Sequence, residues 1–161
     1  MPVLLAGAAA RQGLDLTDCA APTAPLVVLD TNTVLDWLVF NDPGTAALSA
    51  AVESGAVVWL ACEAMRGELA RALGYAKIAK WTPDSERVLA TFDRWALMSP
   101  APEPSPLNLR CADADDQVFI DLAVASRAQW LVTHDRAVLR LAKRLQALGV
   151  KLVRPKDWQQ E

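Results

Sequence analysis

Short apolar runs, each followed by a stretch of helical periodicity, constrain this chain more than any other feature. Leu26-Val27-Val28-Leu29 runs directly into Asp30, Ala56-Val57-Val58-Trp59-Leu60 follows Gly55, Trp130-Leu131-Val132-Thr133 leads to Asp135, and Lys151-Leu152-Val153 makes a last short run. Such runs, apolar without alternation, read as strands buried on both faces. Helices are expected over 31–40, 45–54, 61–73, 84–97, 116–127 and 135–148, with Gly55 and Pro83 as boundary signals. Strands alternating with helices imply right-handed crossovers and a parallel sheet covered on both faces. Between the fourth and fifth helices, Pro100, Pro102, Pro104 and Pro106 remove donors from alternate positions and predict a surface loop.

With 161 residues, 53% of them apolar and 22% charged, the chain has the size of one domain that buries its core without staples. Residues 1–24 are Ala-rich without a sustained period and are expected to be a loosely attached extension, leaving 25–161 as the single domain. Cys19, Cys62 and Cys111 lie tens of residues apart and there is one histidine, which excludes a zinc ribbon or a disulfide scaffold. A reducing, cytoplasmic setting is expected, and no stretch approaches the ~20 apolar residues of a membrane span. The net charge of −3 excludes a strongly basic nucleic-acid coat, yet residues 127–161 carry +5 against −8 in the rest. That asymmetry suits either a polyanion lying beside an acidic site or a solvated helix face.

In an open parallel sheet, ligands bind beyond the carboxyl ends of the strands, where the strand order reverses. Asp30 and Asp135 fall there from separate strands, and they meet if those strands are neighbours; alone, each reads as a helix cap. On the 61–73 helix, Glu68 borders the Met65/Leu69/Ala72 stripe while Glu63 points the other way. On the 116–127 helix, Asp116 projects near the Phe119/Leu122/Ala123 stripe and Asp121 points away. Asp115 is placed almost as well as Asp116, one of the two is expected to cap the helix, and Asp113 lies further out. Carboxylates gathered in one crevice repel one another unless a cation neutralises them, and all-oxygen ligation points to Mg²⁺ or Mn²⁺. Phosphodiester hydrolysis is the chemistry that suits such a site.

Four blocks together resemble the PIN-domain ribonucleases: Val27 to Leu35, the Cys62-Glu63-Ala64-Met65-Arg66-Gly67-Glu68-Leu69 segment, Asp113-Ala114-Asp115-Asp116, and Leu131-Val132-Thr133-His134-Asp135. The likeness is greatest to the bacterial branch labelled as toxin components of toxin–antitoxin systems, and it covers roughly residues 26 to 158. The resemblance implies a three-layer α/β/α sandwich with a central parallel sheet and metal-dependent cleavage of single-stranded RNA. Asp30, Glu68, Asp116 and Asp135 would be the four catalytic and metal-binding acids. Asp30 and Asp116 would hold the metal directly, Asp135 would assist, and Glu68 would bind a second ion or orient water. Asn32 and Thr133 would position the carboxylates, and a homodimer and a cognate antitoxin protein would be the partners. Two departures stand out: His134 occupies a place usually held by a small or basic residue, and residues 1–24 have no counterpart.

Rival readings remain at this level. Asp30-Thr31-Asn32-Thr33-Val34 also resembles the nucleophile motif of haloacid-dehalogenase-like phosphatases, but Asn32 stands where that motif has its second Asp. A non-catalytic module binding RNA or a protein partner is the other alternative. Arg66, Arg71, Arg136 and Arg140 are the candidates to hold a phosphate backbone. Of the six tryptophans, Trp59 and Trp130 lie in apolar strands and read as core, whereas Trp81, beside Lys77 and Lys80, either contacts RNA or packs.

Overall fold

The computed structural model describes residues 23–160; of the expected N-terminal extension, residues 1–22 lie outside the described residues. Five strands form the sheet: β1 (Leu26–Leu29), β2 (Val58–Cys62), β3 (Ala96–Ser99), β4 (Trp130–Val132) and β5 (Lys151–Val153). Their spatial order is β3-β2-β1-β4-β5 and every pairing is parallel. Helices flank the sheet: α1 (Thr31–Leu38), α2 (Ala46–Ser54), α3 (Glu63–Ala72), α4 (Ala76–Ala79), α5 (Ser85–Trp95), α6 (Gln117–Ser126), α7 (Arg136–Leu139) and α8 (Ala142–Ala147). The architecture is a three-layer α/β/α sandwich. No helix among the described residues is long and apolar enough to cross a membrane.

The central strands have no polar face because helices cover both sides, so Val27, Val28, Leu60, Leu131 and Val132 are wholly buried. The large aromatics of the strands close the core edge to face: Trp59 against Phe92 at 4.8 Å, and Trp130 against Trp158 at 5.3 Å. Both strand tryptophans are therefore core, as their apolar runs indicate. Gly55 ends α2 at φ 80, a left-handed position that its lack of a Cβ makes cheap.

Three expectations about elements need correction. The helix expected to reach residue 97 stops at Trp95, and Ala96–Ser99 pairs with Trp59–Cys62 as the edge strand β3. An apolar run such as Trp95 to Met98 satisfies either period, and only the open flank of β2 decides for strand. Strand β2 lies two residues later than expected, because the Val57 amide donates to Ala51 O at 3.2 Å in the turn around Gly55 and is lost to the ladder. The expected 135–148 helix is broken into α7 and α8 at Arg140 and Leu141. The proline-rich loop is anchored by Asp121, whose carboxylate accepts from the Ser105 amide at 3.0 Å and the Gln117 side chain at 2.9 Å. Asp121 thus points away from the crevice, as its helix phase requires, but onto this loop and not into solvent.

Candidate active site

The chain leaves β1 toward β2 on one side and returns to β4 on the other, so the strand order reverses between β1 and β4. Leu29 pairs with Val132, which sets Asp30 beside Thr133, one residue beyond each strand. The Asp30 amide donates to Val132 O at 3.1 Å and the Thr33 hydroxyl donates to the same carbonyl at 3.3 Å, fastening α1 to β4. Asp30 Oδ1 accepts from the Thr33 amide at 2.8 Å, and Oδ2 takes a short hydrogen bond from the Thr133 hydroxyl. That hydroxyl in turn accepts from the Asp135 amide at 3.0 Å, and Asp135 Oδ1 caps α7 through the Ala137 amide at 2.7 Å. Asp30 and Asp135 are thus both helix caps and both part of one hydrogen-bonded relay; the two roles do not exclude each other.

Asp30 is 3% exposed. Burial pushes its carboxyl above the usual carboxylate range, and the hydrogen bonds from Thr133 and Thr33 oppose that shift. Beside it, one oxygen from each of Asp113, Asp116 and Asp135 lies within 4.8 Å of the others. Asp116 is pushed up to about 7, first by burial and then by the carboxylates of Asp135, Asp113 and Asp30. Its Oδ2 is buried without a hydrogen-bond partner among the described residues. An orphaned carboxyl oxygen among other acids is what a hard cation would complete, so the residues present fit a divalent ion with oxygen ligands.

The acids face a crevice of about 270 Å³, which Asp30, Glu68, Asp113, Asp115, Asp116 and Asp135 all line. Glu68 stands on α3, with Oε2 taking a hydrogen bond from Arg71 at 3.0 Å and Oε1 a longer one from the Tyr75 hydroxyl at 3.5 Å. The four acids singled out from sequence therefore share one crevice, but only Asp116 and Asp135 belong to the tight triad. Asp113 replaces Asp30 as its third member, contrary to its expected place further out. The expected capping by Asp115 or Asp116 also falls to Asp113, which accepts from the Asp115 amide at 3.0 Å, while Asp116 makes no capping bond. A short 3₁₀ turn over Ala114–Asp116 precedes α6 and rotates these acids away from a simple helix phase.

Among the basic candidates, Arg66 is committed to Asp93 in a two-pronged ion pair at 2.7 and 2.9 Å, and Arg71 to Glu68. Neither they nor Arg136 and Arg140 line the crevice; among the described residues the cation that does is Lys77, together with Tyr75. Nothing in periodicity points to Lys77, because the four-residue α4 carries too little pattern. Exposed His134 forms a short contact with Asp36 Oδ2 and does not itself line the crevice.

A doubly wound parallel sheet with carboxylates gathered at its switch point defines an α/β protein with a cation-attracting crevice. Residues 26–137 match the PIN domain, and the chain belongs to the PIN-domain family. Its fold is similar to that of VapBC2 from Rickettsia felis, solved bound to a DNA fragment from their promoter. The TM-score is 0.51 at 13% identity, over 79% of this chain and 98% of that one. No curated protein sequence matches the chain.

Two outcomes follow from this geometry. In the folded protein Asp116 keeps its proton up to about pH 7, whereas in the unfolded chain it ionises near 3.8, so its contribution to stability falls as pH rises between those values. In chelating buffer, Asp116→Asn should melt above the parent at pH 8, with the gap narrowing at pH 5; a gap independent of pH would contradict the charge argument. Thr133→Val leaves an Asp30 oxygen and the Asp135 amide without their partner, and denaturant unfolding should register a loss of about 1–3 kcal/mol that Thr133→Ser largely avoids.

Proposed function

We propose that this protein is a Mg²⁺- or Mn²⁺-dependent endoribonuclease that cuts single-stranded RNA, acting as the toxin of a toxin–antitoxin pair. The observation that carries the reading is the clustering of Asp116, whose Oδ2 lacks a partner among the described residues, with Asp113 and Asp135 in a crevice shared with Asp30 and Glu68, on a chain of the PIN-domain family. The toxin role, the antitoxin partner and a homodimer rest on the likeness of the four sequence blocks to that bacterial branch. A cytoplasmic location belongs to the same reading.

Asp116 and Asp135 would ligate the ion, with Asp113 or Asp30 completing its oxygen shell. A bound divalent ion supplies polarisation of the phosphoryl group and acidification of water. Asp30, held from both oxygens by Thr33 and Thr133, presents its carboxyl group to the crevice in one fixed orientation. The relay through Thr133 holds the Asp135 backbone in register with it. Glu68, held by Arg71 and Tyr75, would orient the attacking water or bind a second ion. Hydrolysis adds that water's oxygen to phosphorus, breaks one ester bond and leaves a hydroxyl and a phosphomonoester.

Labelled single-stranded RNA incubated with the protein should be cut with Mg²⁺ or Mn²⁺, not with EDTA, and not by Asp30→Asn. Equal cutting by parent and variant would overturn the reading, and absence of ion binding in calorimetry would favour a non-catalytic binding module. Because Asp116 must lose its proton to ligate, Mn²⁺ affinity at constant ionic strength should rise by up to about tenfold per pH unit toward pH 7 and level off above it.

A further inference from the structure

Two of the four exposed large apolar side chains among the described residues, Tyr75 and Trp81, stand at the two ends of one seven-residue segment. They are 45% and 53% exposed, and between them stand the exposed cations Lys77 and Lys80 and no acid. Tyr75 and Lys77 line the acidic crevice itself. We infer that the segment from Tyr75 to Trp81 is a strip that takes the single-stranded polynucleotide leaving the crevice, its lysines on phosphates and its aromatic rings on unstacked bases. The inference rests on the ribonuclease reading above and assigns the part of the chain that grips the substrate.

The strip is built to hold its shape. Ile78 is 4% exposed and plugs the segment into the core beside the crevice. Tyr75 O accepts from the Ile78 and Ala79 amides at 2.9 and 2.8 Å, and the Trp81 amide donates to Ile78 O at 3.0 Å. The Tyr75 hydroxyl is tied to Glu68, and the Trp81 ring meets Phe40 edge to face at 4.8 Å, leaving about half of Trp81 open to solvent. Phe40 lies just past the C-terminal end of α1, whose first residues line the crevice, so the strip leads away from the acids by roughly 12 Å at about 1.5 Å per residue. The acids repel a phosphate backbone except where a cation bridges it. Charge complementarity therefore requires a separate cationic hold nearby, and Arg66 and Arg71 are already paired with Asp93 and Glu68. Exposed aromatic rings beside the lysines favour nucleotides over an acidic peptide, because every base offers a face to stack on.

The test is fluorescence anisotropy of a labelled 12-mer RNA in EDTA, where cutting is absent, with Lys77→Met, Lys80→Met and Trp81→Leu, each checked for an unchanged melting temperature. Each lysine variant should weaken single-strand binding and lower the salt slope by about 0.7. Trp81→Leu should weaken it by about tenfold while leaving binding of the matching duplex little changed. Unaltered binding by both lysine variants, in a parent that binds and cuts RNA, overturns the strip and leaves the ribonuclease reading standing. A parent that neither binds nor cuts RNA overturns both. Poly-glutamate of the same length serves as the rival occupant: equal losses for it and for RNA assign the segment to acidic partners and overturn the nucleotide assignment. If Trp81→Leu fails to fold, the two surface lysine variants decide.

Discussion

Parallel pairing of β1 with β4 is the constraint on which the rest of the structure depends. The two strands come from opposite ends of the domain, and their register sets Asp30 beside Thr133 with no loop freedom between them. From that contact the hydroxyl of Thr133 reaches both Asp30 and the backbone of Asp135, so two acids 105 positions apart in the chain share one hydrogen-bonded frame. A buried carboxylate survives only if its oxygens are satisfied, and here neutral donors on both oxygens lower the cost that burial raises.

The second consequence is electrostatic. Strand ends, the 3₁₀ turn before α6 and the face of α3 all deliver acids into one small crevice. Their mutual repulsion concentrates on Asp116, which has an oxygen that nothing among the described residues satisfies. Instability of this kind is tolerated where a ligand repays it, and stored local cost of this sort gathers at functional sites. The basic residues divide accordingly: Arg71 holds Glu68 in place from outside the crevice, while Lys77 lines it.

Helix capping and function have a common origin in this fold. A strand that runs into a helix needs an acceptor at the junction for the first free amides, and Asp supplies it at positions 30 and 135. At a switch point those same junctions border the crevice, so capping residues become site residues without a further change of backbone. The third junction works differently: Asp113 takes the capping bond of the 3₁₀ turn, and this frees Asp116 to face the cluster.

Strand and helix periodicity alone determined the α/β class, the parallel sheet, the core roles of Trp59 and Trp130, and the presence of Asp30 and Asp135 at strand ends, because each of these depends on residues close together in the chain. Helical phase was likewise enough to separate Glu68 from Glu63, since both sit on one regular helix. Tertiary structure decided what local pattern leaves degenerate. Edge pairing with β2 took Ala96 and Leu97 from the expected helix into strand β3, and a 3₁₀ turn brought Asp113 into the tight triad in place of Asp30. Ion pairing across α3 and α5 withdrew Arg66 in favour of Lys77 at the crevice. Each of these outcomes depends on which partner a residue meets across space, and meeting is set by sheet order and packing, for which a single segment carries no code.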